Sequence, residues 1–123
     1  MILFAQAVAA LSKLAIAILG SVAVYGPCAD DVAALPAAYR PDVYGYELIC
    51  HVEHPVHPDH GLVQGYVKQS SRIVHLWGYS TWPTGFVLAH EVGHIEYGHV
   101  RGQPGIEAEA SAFAAEILGI ESP

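Results

Sequence analysis

The sequence predicts an α+β fold. Three observations carry this: two strand-like runs between residues 62 and 77, two segments with apolar residues at helical spacing between 82 and 118, and an apolar opening stretch whose helical wheel is two-sided. A chain of 123 residues with 53% hydrophobic and 14% charged residues can bury one core, so a single domain over 1–123 is expected, and the composition argues against disorder. There is no internal repeat.

Residues 1–25 are nearly all apolar, which is compatible with a signal peptide, a membrane anchor or a buried first helix. On a helical wheel Leu3, Phe4, Val8, Leu11, Leu14, Ala15, Ile18 and Leu19 share one side, with Gln6 and Lys13 opposite. Lys13 at mid-membrane would cost roughly 2.5–3.5 kcal/mol. No positive charge precedes it, as a secretory signal normally has, although Ser21-Val22-Ala23 has the small residues of a cleavage site. A first helix docked on the domain is therefore the expectation, with signal and anchor as alternatives. Shorter runs at 21–25 and 44–50 add further strand candidates.

Cys28 and Cys50 are too few and too far apart for a redox pair or a zinc ribbon. Free thiols in a reducing compartment are expected, or one disulfide if the chain is exported. His51, His54, His57 and His60 recur every third residue around Pro55 and Pro58, a spacing that polyproline II would align along one edge. The spacing lacks a defined tetrahedral ligand set, so a long solvated loop is expected there in preference to a second metal site. Runs at 62–68 and 72–77, joined by Gln69-Ser70-Ser71, then read as a hairpin.

A helix is expected over 82–98, with Ser80 or Thr81 as N-cap, Pro83 in the first turn, and Gly98, Gly102 and Pro104 as stop signals. It carries His90-Glu91-Val92-Gly93-His94. A run of this His-Glu-x-x-His kind arises by chance in roughly 3 of 100 shuffles of such a composition, so its helical setting is needed to give it weight. On a helix, residues four apart stand one above the other, so His90 and His94 can grip one zinc ion while Glu91 faces a water molecule beside it. That arrangement points to metal-assisted peptide hydrolysis.

Such a site needs a third protein ligand and an open position. The next helix, 106–118, supplies two options along an apolar face of Ile106, Ala110, Phe113, Ala114, Ile117 and Leu118. Glu107 lies beside the small Ala110/Ala114 stripe, where the two helices can approach closely, and Glu109 is the rival. Both also suit the positive end of that helix without any metal. His99 is excluded as a ligand, since on a continuous helix it is turned about 140° from His94 and about 180° from His90. Tyr97 and Val100 also stand where a metzincin would have Gly and His.

Leu88-Ala89-His90-Glu91-Val92-Gly93-His94, then Gly98-His99, and Glu107 through Leu118 resemble the ImmA/IrrE family of metallopeptidases. The resemblance is specific over about 84–119 and loose over about 60–80. It implies a compact zincin-like domain in which a small twisted sheet and a first helix pack around the two metal-site helices, with His90, His94 and Glu107 as zinc ligands and Glu91 as catalytic base. Ser111 stands where the family has Asn or Asp, which weakens any hydrogen bond from here to a ligand histidine. The resemblance further implies a cytoplasmic regulatory protease, often one that cuts a helix-turn-helix repressor. In zinc peptidases of this build the strand before the metal helix, here 72–77, lines the cleft and offers its edge to an extended substrate.

Tyr97, His75 and His99 are candidate second donors to the oxyanion. A net charge of −7 with five Lys and Arg excludes direct nucleic-acid binding, so a transcription factor would be the substrate. Two other functions stay open: a membrane-attached or secreted zinc peptidase in processing or quality control, and a non-catalytic zinc sensor or docking module.

Overall fold

Leu48, Cys50, Val67, Val74 and Leu76 fall at alternate strand positions, so pairing their strands in register gives one apolar sheet face. The computed structural model describes residues 26–52, 56–57, 61–62, 64–78 and 81–123. Strands β1 (Glu47–His51), β2 (Val56–His57), β3 (Gly61–Leu62), β4 (Gly65–Lys68) and β5 (Ile73–Trp77) are followed by two long helices, and a short helix, α1 (Ala29–Ala34), precedes them. β5 is the centre of a three-stranded mixed sheet, parallel to β1 and antiparallel to β4. β2 and β3 form a separate antiparallel pair.

The apolar face rests on α2 (Phe86–Glu96), whose Leu88, Ala89 and Val92 are fully buried beside Val74 and Leu76. α3 (Ile106–Leu118) covers α2 from the other side through Ala110, Phe113 and Ala114. The fold is therefore α+β, with α2 sandwiched between sheet and helix. Each fully buried Leu or Val contributes about 1.5–3 kcal/mol, so this layer is the chief source of cohesion around the metal-motif helix.

Several expectations are corrected. α2 starts at Phe86 instead of near 82, because Pro83 to Gly85 form a turn in which Phe86 N–H donates to Pro83 O and Gly85 takes φ 84°. Thr81 does not cap it, and Ser80 lies outside the described residues. The Asp31 carboxylate, on α1, accepts the Gly85 N–H at 2.7 Å, and burial is the main cause that raises the Asp31 pKa. The strand run at 62–68 is split, Leu62 pairing with β2 while Gly65–Lys68 pairs with β5. The run at 44–50 becomes a 3-10 turn, Pro41–Tyr44, and then β1. Val56–His57 is a strand and not polyproline II, and His51 belongs to β1. The first-helix and 21–25 expectations lie outside the described residues. Among the described residues, no helix is long and apolar enough to cross a membrane.

The cysteines are not free. Cys28 and Cys50 form a disulfide whose Cα atoms are 5.9 Å apart although 22 positions separate them in the chain. The 3-10 turn Gly26–Cys28 brings the first cysteine, fully buried, beneath the sheet and against β1. Closing a loop of this size stabilises a fold by about 3 kcal/mol. The double variant Cys28→Ala, Cys50→Ala should lose that much unfolding free energy in a urea titration. An unchanged midpoint would show that the bond adds nothing.

Candidate metal centre

α2 brings His90 and His94 to one face, one turn apart, with their Nε2 atoms 3.1 Å from each other. Glu107, in the first turn of α3, places Oε2 2.8 Å from His90 Nε2 and Oε1 3.4 Å from His94 Nε2. Glu109 does not join them. Its Oε1 lies 2.6 Å from His99 Nε2, so the choice between the two carboxylates at the cluster falls on Glu107.

The donor set fits a cation. Bonds of about 2.0–2.1 Å in a tetrahedron imply ligand atoms about 3.3 Å apart, close to the three separations here. Two ring nitrogens and a carboxylate facing one another can share the N–H proton of one imidazole, or a metal ion in its place. His90, Glu91 and His94 each offer a ligand atom within 4.8 Å of the others, so this group can hold a metal ion. Burial, and next the adjacent His90 ring, lower the His94 pKa, which favours the neutral imidazole that metals bind.

Glu91 is 6% exposed and sits between α2 and β4. Its Cγ lies 3.3 Å from where a Cβ at Gly65 would stand, so the glycine leaves room for the carboxylate stem. Burial, then the charge of Glu107, push its carboxyl up to about 8. A cation held by His90, His94 and Glu107 acts in the opposite sense. The carboxylate borders a cleft of about 1170 Å³ that Gln64, Tyr66, Trp82, His90 and Glu107 also line.

The strand beside this cleft is β4. β5, the expected one, is paired on both sides and has no free edge. Trp77 N–H donates to Gln64 O, and the alternation of an antiparallel ladder then turns the N–H and C=O groups of Gly65 and Val67 toward the open side.

Among the expected second donors, Tyr97 is half exposed and stacks on His99 with ring centroids 5.5 Å apart. His75 bonds His51 across β1 and β5 at 2.9 Å, on the sheet face opposite the core. His99 has both ring nitrogens engaged, by His94 and Glu109. None of the three stands as a free donor at the cluster. Ser111, the residue type expected to weaken a bond from this position, lies with its Oγ 3.0 Å from His90 Nδ1. A serine reaches because α3 lies so close to α2.

No protein family, curated protein or solved structure matches this chain. The geometry of the cluster therefore stands on its own residues.

That geometry depends on Gly93, where an added Cβ would stand 3.0 Å from Ala110 Cα, 3.1 Å from Ala110 O and 3.1 Å from Phe113. Two of those atoms are backbone and cannot rotate away. Gly93→Val should therefore part the helices, cost about 1–3 kcal/mol and weaken metal binding together. Thermal unfolding and metal competition check this, and retention of both would show that the close approach is dispensable.

Proposed function

We propose that this chain is a zinc metallopeptidase of zincin-like build, with His90, His94 and Glu107 as ligands and Glu91 as general base. The observation that carries the reading is the meeting of His90 Nε2, His94 Nε2 and the Glu107 carboxylate from two helices, at 2.8, 3.1 and 3.4 Å. The resemblance of residues 84–119 to the ImmA/IrrE metallopeptidases supports it. Zinc at this position would supply Lewis acidity to a water molecule and to the scissile carbonyl. Glu91 accepts a proton from that water as its oxygen attacks the carbonyl carbon, then returns it to the amine nitrogen as the C–N bond breaks. The burial of this carboxyl beside the cluster and its position on the cleft wall support this reading. The outward backbone groups of Gly65 and Val67 suit an extended peptide added to β4. A regulatory protein such as a helix-turn-helix repressor is the substrate that the family resemblance favours.

A second reading, of an exported or membrane-attached processing peptidase, is favoured by the Cys28–Cys50 disulfide, since such bonds persist in oxidising compartments. Rapid alkylation of intact cells decides between them, with thiols found free at both cysteines favouring the cytoplasm.

The test of activity uses the full chain loaded with zinc, incubated with an unstructured protein and followed by mass spectrometry. Fragments that vanish with a chelator and return with zinc are expected. A chain that holds one zinc and cuts nothing would overturn the peptidase reading.

A further inference from the structure

Glu109 and His99 lie outside the ligand set, yet an unbroken line of hydrogen bonds joins them to it. His99 Nε2 is 2.6 Å from Glu109 Oε1, and His99 Nδ1 is 2.9 Å from His94 Nδ1. A carboxylate only accepts, so His99 Nε2 donates to it. With one proton on the His99 ring, Nδ1 is then an acceptor, and His94 Nδ1 must donate to it. The remaining His94 nitrogen, Nε2, is left with its lone pair toward His90 and Glu107. We propose that Glu109 and His99 are positioning residues that lock His94 in the one tautomer able to bind a metal through Nε2.

The line is held firmly at its centre. His99 is 7% exposed, its N–H donates to His94 O at 3.0 Å, and its carbonyl accepts from Gln69 Nε2 at 2.8 Å. The Tyr97 ring stacks on it. Glu109 is two residues from Glu107, so the first turn of α3 delivers both carboxylates, one to the cluster directly and one through two imidazoles. His90 has a different backing. Its Nδ1 meets the Ser111 hydroxyl, which can donate or accept and so does not dictate a tautomer. Only the His94 side carries a directional lock. Partners of this kind behind a ligand histidine typically change metal affinity by about 10-fold to 100-fold.

The proposal rests on the metal-centre reading, and its test separates the two. Zinc affinity is measured by competition with a chromophoric chelator for the full chain and for Glu109→Ala, His99→Phe and His99→Gln. The tautomer of His94 is read in each, without metal, from nitrogen-15 NMR shifts. The full chain should bind one zinc and show the Nδ1–H form. Glu109→Ala should bind roughly 10-fold more weakly, and His99→Phe more weakly still, with His94 divided between tautomers. His99→Gln should recover most of the loss, because its amide oxygen can accept the His94 Nδ1–H. Equal affinities with an unchanged His94 tautomer would overturn the relay while leaving the zinc site standing. A full chain that takes up no zinc would sink the metal reading, and the NMR comparison would still decide the relay. If His99→Phe does not fold, the half-exposed Glu109→Ala decides alone.

Discussion

Glu91→Gln should keep the fold and bind zinc as the parent chain does, and lose hydrolysis by about 10²–10⁴-fold. The two side chains are nearly the same size, so the packing against Gly65 survives, and none of the three proposed ligands is altered. What is lost is the oxygen proposed to take the water proton. A second consequence has a definite sign. Folding raises the Glu91 carboxyl from 4.5 to about 8 in the metal-free protein, mainly through burial. The stability linked to its protonation is fully present below 4.5 and is lost as pH rises through 8. An amide at this position does not titrate and has no such loss. In chelator, the variant should therefore gain stability relative to the parent as pH climbs across that window, as measured by denaturant midpoints. Undiminished peptide cleavage by the variant would rule Glu91 out as the base.

Glu107→Ala should weaken zinc binding by roughly a hundredfold or more, because a structural zinc site worth about 10–16 kcal/mol shares that energy among few ligands. The Glu107 side chain is 75% exposed, so with a chelator present folding stability should move by no more than about 0.5 kcal/mol. Elemental analysis of dialysed protein, with Glu109→Ala beside it, checks the assignment. Parent and Glu109→Ala should both hold one equivalent. If Glu107→Ala keeps its zinc as well, the third ligand has been misassigned.

The parts legible in the sequence were those set by local pattern. α3 spans Ile106–Leu118 as its apolar stripe requires, and the His90/His94 pair shares a face because four residues make about one helical turn. Parts set by distant residues were hidden. Ser80, Thr81 and Pro83 have the composition of a helix start, yet the Gly85 N–H at the start of α2 is satisfied by Asp31, 54 residues away. The strand run at 62–68 has continuous strand-like character, and only the register with β2 and β5 divides it. Pairing of Cys28 with Cys50 follows from a chain reversal that no spacing rule encodes. Glu107 and Glu109 were open rivals because both begin the same helix. The bond between Glu109 and His99 holds that carboxylate away from His90 and His94, and His99 stands where it does because Gly98, at φ 60°, turns the chain back after α2.

α3 packs chiefly on α2, and the cluster straddles that seam, with its imidazoles on one side and its carboxylate on the other. An ion bound there rivets the last helix to the body of the protein. Occupancy and docking would thus become a single equilibrium, so whatever loosened this helix would also release the ion.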